Sequence, residues 1–457
     1  MRQVSVADWT LAVPAAVWQE LLVALDRPEE TAGVLLAGVC QDQAAPALLA
    51  SEVLWVPDEA YAVREPLRLE IRSEGWVPAL KYAADQQRTA IFVHTHPGGD
   101  PAPSHHDDAV DETIGRVFAR RTRSDRYASF ILGGTPDEPA FSGRINGEAI
   151  SRVRVVGNGR LRIVRNPGIG TAGGGGAFDR QVRAFGQAGQ AALGDLRVGV
   201  VGAGGTGSAV IEQLARLGVG SLTLVDPDVV TASNLTRIYG SGEADVGLPK
   251  VDVAADAVRR LGFGTETRAF QASVNQRAGM EPLRRCDLVF GCTDDNAGRV
   301  VLSRMSYFYE QPLIDMGVVI TSADGLINGI FGRVTIAGLG EPCLICRGRV
   351  DLALARDETM RPEERTRLAE EGYARGLDDP DPAVIAYTTA VAAAAVNEFL
   401  DLVIGFGESD VQRELLLRIL DRSTSRVAGS PAPGHFCEDH LRWGRGDVEP
   451  ALDMIWP

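Results

Sequence analysis

The chain has few of the residues that usually announce chemistry or location. Only six cysteines and six histidines occur among 457 residues, and aromatic side chains make up 6%. Six cysteines in a chain of this length make no disulfide framework. Basic residues are in deficit, 46 against 61 acidic ones, for a net charge of −15. That balance excludes non-specific attraction to nucleic acid or to an anionic membrane, and leaves room only for a local basic pocket. No apolar h-region follows Met1, so no secretion signal is expected and a reducing cytoplasm is the expected compartment. A clean membrane-length apolar run is also missing. The best candidate, residues 388–406, is interrupted by Asn397, Glu398 and Asp401 and reads as a buried helix. A chain this long outgrows one core, so two or three domains are expected.

Scarcity makes the histidines informative. His94, His96, His105 and His106 fall within thirteen residues, and His435 and His440 sit near the end. Two clusters suggest two metal sites. In the first, the apolar stretch 91–93 runs straight into His94-Thr-His96-Pro97. Residues two apart on an extended chain face the same side, so the two imidazoles converge. Six residues separate Pro97 from Ser104, and then comes Asp107, which opens a helical stretch through Arg120. Two histidines and one carboxylate leave a fourth position on a zinc ion for water, the layout of a catalytic site. A carboxylate outside that set must take the proton, and Glu30, entering the apolar stretch 30–38, is the candidate general base. Ser104 is a candidate donor to an oxyanion.

This spacing, E…H-x-H-P, six residues, S-x-x-D, resembles the JAB/MPN metalloproteases with their JAMM motif. Glu30, His94, His96, Ser104 and Asp107 each fall on a family position, with Glu29 adjoining Glu30. The resemblance implies an α/β metalloprotease domain over residues 1–165, a catalytic zinc, and cleavage of peptide or isopeptide bonds after the C-terminus of ubiquitin-like proteins. His105 and His106 match no required position.

Residues 166–176 are glycine-dense and aperiodic, and read as a linker. Such a segment spans roughly 15–20 Å in the root mean square, so the two flanking sites can serve one substrate.

The second half, residues 177–457, is organised around a Val-rich run at 196–201 followed by Gly202-Ala-Gly204-Gly205-Thr-Gly207 and a helical apolar pattern that Gly218 ends. Strand, glycine turn and helix bring backbone N–H groups and a helix N-terminus to a nucleotide's phosphates. Asp226 ends the next strand, where an acid holds ribose hydroxyls. Alone, this pattern suggests NAD. Downstream, however, stand Asp228, Asn234, Arg237, Lys250 and Asp294. Attack of a carboxylate on the α-phosphate of ATP builds negative charge that Arg237 and Lys250 offset. Asp294, at a strand end, is suited to Mg²⁺.

The G-x-G-G-x-G, D-x-D, S-N-L-x-R, P-K and T-D motifs, in this order, resemble the ThiF/MoeB family of ubiquitin-activating-enzyme-like adenylyltransferases. The resemblance implies a doubly wound Rossmann-like domain, ribose bound by Asp226, ATP by Asn234, Arg237 and Lys250, and magnesium by Asp294. It also implies a homodimer in which Arg180 crosses to the partner copy. Ile238 replaces the family's usual glutamine, and Ala177 the first arginine of its R-Y-x-R-Q opening. Cys343-Leu-Ile-Cys346 and Cys437-Glu-Asp-His440 have knuckle spacing for a closed structural zinc site, with His435 a rival to His440. Cys286 and Cys292 flank an apolar stretch and read as packed, and the charged stretch 351–382 has no cysteine. No thioester-forming thiol is therefore expected.

Together these features lead to the expectation of a fused processing and activating enzyme. It would cut after the C-terminal glycine of a ubiquitin-like or sulfur-carrier protein ending in Gly-Gly, and adenylate the exposed carboxylate for a conjugating enzyme or sulfur donor. Neither nucleic acid nor membrane is an expected partner. The alternatives are a deconjugating isopeptidase, adenylation of a peptide or small carboxylate, an NAD-dependent oxidoreductase with a metal-binding appendage, and a silent scaffold.

Overall fold

The computed structural model describes residues 8–65, 68–165, 176–360, 382–407 and 412–456. Strands β1 (Trp9–Pro14), β2 (Ala32–Cys40), β3 (Ala47–Trp55), β6 (Thr89–Pro97), β7 (Ala128–Gly134), β8 (Pro139–Ile145), β9 (Glu148–Gly157) and β10 (Arg160–Arg165) form the first sheet. Their order is β1-β3-β2-β6-β7-β8-β9-β10, and a second pairing of β1 with β9 closes the sheet on itself. A separate hairpin joins β4 (Tyr61–Glu65) to β5 (Arg68–Ile71). Helix α1 (Ala15–Leu25) buries Val17, Trp18 and Leu21 against one face, where Phe130 and Phe141 stack. Helices α2 (Val77–Asp85) and α3 (His105–Thr122) cover the other, with Phe92 and Phe118 between them and the sheet.

The second sheet contains β11 (Arg197–Val201), β12 (Ser221–Val225), β13 (Glu266–Phe270), β14 (Leu288–Gly291), β15 (Leu313–Ala323), β16 (Leu326–Ala337), β17 (Glu414–Arg418) and β18 (Ser423–Val427). Its order is β13-β12-β11-β14-β15-β16-β17-β18. Pairing is parallel from β13 to β15 and antiparallel from β15 to β18. The strand order reverses between β11 and β14, and ligands of such sheets bind in the crevice beyond the strand ends at that point. The Val-rich β11 is buried on both faces, as its composition predicts.

Helices α4 (Asp179–Gly194), α5 (Gly205–Leu217), α6 (Lys250–Leu261), α7 (Arg277–Met280), α8 (Asn296–Phe308), α9 (Leu352–Glu358) and α10 (Ile385–Ile404) complete this half. Gly218, at φ 77°, terminates α5 in the left-handed conformation its position requires. Helix α10 is long and apolar enough to cross a membrane by composition. Its Val391, Ala392, Ala395 and Phe399 are nevertheless in the sheet's main core.

The two halves also meet outside the glycine-dense stretch. Residues 166–175 lie outside the described residues, but the described ones share a core. Ala12, Cys40, Ala47 and Leu49 of the first sheet pack in one cluster with Val201, Leu283, Met305 and Phe308. Arg152 on β9 forms a two-pronged pair with the buried Asp287, at 3.1 and 3.0 Å, and Arg154 donates to the carbonyls of Cys286 and Tyr309. The C-terminal segment is held too, since Arg88, just ahead of β6, donates to the carbonyls of Leu441, Trp443 and Gly444.

Candidate functional sites

Period-two alternation in β6 does bring His94 and His96 together, with their Nε2 atoms 3.2 Å apart. The α3 N-terminus supplies Asp107, whose Oδ1 is 3.4 Å from His94 Nε2 and whose Oδ2 is 3.8 Å from His96 Nε2. Ligands about 2.0–2.1 Å from a tetrahedral ion lie about 3.3 Å from one another, so this donor set fits zinc. Helix capping sets the carboxylate's position. Ser104 Oγ accepts the Asp107 N–H, and Asp107 Oδ2 accepts the Ser104 N–H at 2.7 Å. Ser104 thus spends an acceptor on the cap and keeps its O–H as a donor. The His96 Nδ1–H donates to the Asp100 carbonyl at 2.8 Å, which leaves the Nε2 lone pair for a metal.

Glu30 precedes β2 and is 5% exposed. Its Oε1 is 4.0 Å from His96 Nε2, beside the triad rather than within it. Burial pushes the Glu30 carboxyl up to about 7, against the pull of His94 and with a smaller push from Asp107. Such a group can take and return a proton near neutrality. Burial acts to raise Asp107 also, but hydrogen bonds from His94 and Ser104 outweigh it and hold that carboxyl low. The side chain of His106 lies outside the described residues.

In the second half, a cavity of about 950 Å³ opens at the switch point between β11 and β14. It is lined by Gly202, Gly204, Gly205, Asp226, Asp228, Arg237, Lys250 and Asp294. The glycines have different reasons. A Cβ on Gly202, at φ 90°, would strike the Cys292 carbonyl at 2.7 Å, and one on Gly207 the Gly202 carbonyl at 1.7 Å. Those two let the turn fold, whereas a Cβ on Gly204 would meet no protein atom within 4 Å. Asp226 spends both oxygens on backbone, accepting the N–H groups of Ala203 at 2.6 Å and Asp228 at 2.8 Å. Burial holds its carboxyl above the usual value despite Lys250 and those donors. Lys250 Nζ lies 2.7 Å from Asp228 Oδ2. Arg237 donates to the Ser233 carbonyl and has no carboxylate partner among the described residues. Asp294 follows β14 with its carboxylate exposed into the cavity.

Three of the expected residues do not line this chain's own cavity. Asn234 does not line the cavity, because its Oδ1 accepts the Thr231 N–H and its buried side chain caps the short turn that delivers Arg237. Gly207 is internal to the turn. Arg180 is exposed on the first turn of α4, away from the cavity. Sequence reasoning missed Arg299, Arg333, Arg349, Glu358 and Arg418, which also line the cavity. Of these, Glu358 lies in the charged stretch 351–382, and Arg299 follows Asp294 by five residues.

The knuckle needs one correction. Cys343, Cys346, Cys437 and His435 converge, and His440 does not join them. His435 Nδ1 is 3.6, 3.4 and 3.2 Å from the sulfurs of Cys343, Cys346 and Cys437. A tetrahedral zinc with bonds near 2.3 Å to sulfur and 2.0–2.1 Å to nitrogen sets such pairs about 3.5 Å apart. The Glu438 and Asp439 N–H groups donate to the His435 carbonyl, and this turn brings His435 beside Cys437. His440 lies past the turn, with its ring tilted at 43° against Trp443 and the ring centroids 4.0 Å apart. The Cys437 thiol is pulled down to about 5 by Cys343, whose own thiol is pushed up in turn. We expect His435→Ala to drop bound zinc by about one equivalent in metal analysis of the purified chain, while His440→Ala retains it.

Burial pushes the Cys286 thiol up to about 12 and raises that of Cys292 further. A raised thiol disfavours the thiolate form that attacks, though Cys292 borders the cavity.

Comparison with known proteins places both halves. The family described as "ThiF family" matches residues 178–432, and that described as "Prokaryotic homologs of the JAB domain" matches residues 14–145. The molybdopterin-synthase adenylyltransferase of Escherichia coli (strain K12) is 36% identical over 177 residues, 38% of this chain and 68% of that protein. The SAMP-activating enzyme E1 of Haloferax volcanii is 35% identical over 161 residues, 35% of this chain and 56% of that protein. The solved structure of E. coli MccB with ATP aligns over 57% of this chain and 73% of its own, at 16% identity and a loose TM-score of 0.44–0.45 across such structures.

Proposed function

Because the chain belongs to the ThiF family and carries a JAB-type domain ahead of the matching region, we propose that it both trims and activates a small ubiquitin-like or sulfur-carrier protein. The carrying observation is the switch-point cavity, where the glycine turn, Arg237, Lys250 and Asp294 share one space. The E. coli and H. volcanii relatives, an adenylyltransferase and an activating enzyme by name, support the same reading.

In this reading the ATP phosphates lie along Gly204 and the N-terminus of α5. A carboxylate oxygen of the carrier's C-terminal glycine attacks the α-phosphorus, forming an acyl adenylate and expelling pyrophosphate. Arg237 and Lys250 offset the charge that builds on the phosphate oxygens. Asp294 would hold Mg²⁺. With no poised thiol at Cys286 or Cys292, the adenylate passes to an external sulfide, thiol or amine.

In the first half, His94, His96 and Asp107 would hold zinc, which when bound supplies a polarised water and a Lewis acid. Glu30 accepts a proton from the attacking water and returns it to the leaving amine. Ser104 donates its O–H to the tetrahedral oxyanion. The cut exposes the C-terminal glycine that the second half consumes.

The test is pyrophosphate release from MgATP on adding a small carrier ending in Gly-Gly, compared with the same carrier bearing a C-terminal extension. Both should release pyrophosphate, the extended one only after cleavage. Release without a carrier, or none with either, sinks the reading.

A further inference from the structure

The cavity is larger than its phosphate-binding end requires. At about 950 Å³ it lies near the top of the roughly 300–1,000 Å³ of small-molecule clefts. Its outer half is floored by the antiparallel extension β15–β17. The register pairs Val319 with Phe331 and Phe331 with Arg418, and in the next row Gly317 with Arg333 and Arg333 with Leu416. Directly opposed residues share a face, and all six line the cavity. The floor is therefore apolar at Val319, Phe331 and Leu416, with Val319 and Phe331 56% and 47% exposed. Two arginines flank that surface.

Charge pairing separates those arginines. Six cationic side chains line the cavity: Arg237, Lys250, Arg299, Arg333, Arg349 and Arg418. Lys250 is paired with Asp228, Arg299 and Arg333 with the buried Asp315, and Arg349 with Glu414. Among the described residues only Arg237 and Arg418 lack a carboxylate. Arg237 sits by the glycine turn, where phosphates would lie. Arg418 is on the far flank, where its guanidinium donates to the Ser425 hydroxyl at 3.1 Å and meets no carboxylate among the described residues.

Resting on the adenylation reading above, we propose that this floor receives the carrier's extended C-terminal tail, and that Arg418 selects tails with an acidic side chain upstream of the terminal glycines. The catalytic end is fixed by Arg299, which donates to the Asp294 carbonyl at 3.3 Å and contacts Asp315 on β15. Arg418 lies two strands further on. At about 4.8 Å per strand and about 3.3 Å per extended residue, the acid falls about three residues before the carboxylate. The apolar row between them suits a small or apolar residue.

ATP–pyrophosphate exchange by the full chain with synthetic decapeptides ending in Gly-Gly tests this. Asp or Lys would stand third, fourth or fifth from the end. One Asp peptide should show a KM at least about fivefold below its Lys counterpart, with kcat little changed. Arg418→Ala should erase the difference, and Arg418→Glu should invert it, which misfolding does not do. Equal exchange with every peptide overturns this inference alone. No exchange with any peptide, or with a Gly-Gly carrier, overturns it together with the adenylation reading.

Discussion

Lys250→Ala should lower carrier-dependent ATP–pyrophosphate exchange by about 10²–10³-fold, the range for losing one preorganised contact to a developing anion. Two effects act in the same direction. The variant removes a cation from the cavity, and it leaves Asp228, until then 2.7 Å from Nζ, facing the phosphates unneutralised. The loop itself should survive, because the Lys250 N–H donates to the Asp228 carbonyl whatever the side chain. An unaltered thermal midpoint without ATP would establish that. Removing Asp228 as well should recover part of the lost rate, since the second effect then vanishes. Exchange within about threefold of the parent would mean that Lys250 does not face the reacting phosphate.

Glu30→Gln should lower cleavage of a C-terminally extended carrier by about 10²–10⁴-fold, the usual worth of a positioned acid–base group. Its metal content should be unchanged, because the converging donors are His94, His96 and Asp107. Glutamine keeps the shape of this buried side chain but accepts no proton at working pH. His94→Ala should lose cleavage and metal together. Gel-based cleavage alongside metal analysis separates the two, and near-parental cleavage by Glu30→Gln would remove it from the proton path. Neither variant at Glu30 nor at His94 should alter pyrophosphate exchange with a carrier already ending in Gly-Gly.

The sites were readable where their chemistry is spaced along a few residues of one element. His94 and His96 share a strand face because they stand two apart, and Ser104 and Asp107 meet because an N-cap and its third helical residue do so. The glycine turn was likewise legible from the strand before it and the helix after it. The zinc histidine was not, since the knuckle spacing suits His440 and only the turn at Glu438 and Asp439 brings His435 in instead. The placing of Asn234 was not legible either: its carboxamide oxygen accepts the Thr231 N–H and caps its own turn. Arg152 and Arg154 alternate with valines on β9 as though facing water, and their partners lie about 130 residues away. The floor of β15–β17 was hidden because Phe331 and Arg418 become neighbours only through strand register.

The two halves cannot be parted cleanly at the glycine-dense stretch. Producing either half without the other would bare Leu49 or Met305 to solvent, and the second half alone would also leave Asp287 without the Arg152 guanidinium. The shared core thus ties the stability of one half to that of the other, and thermal unfolding of the whole chain should run as one cooperative transition.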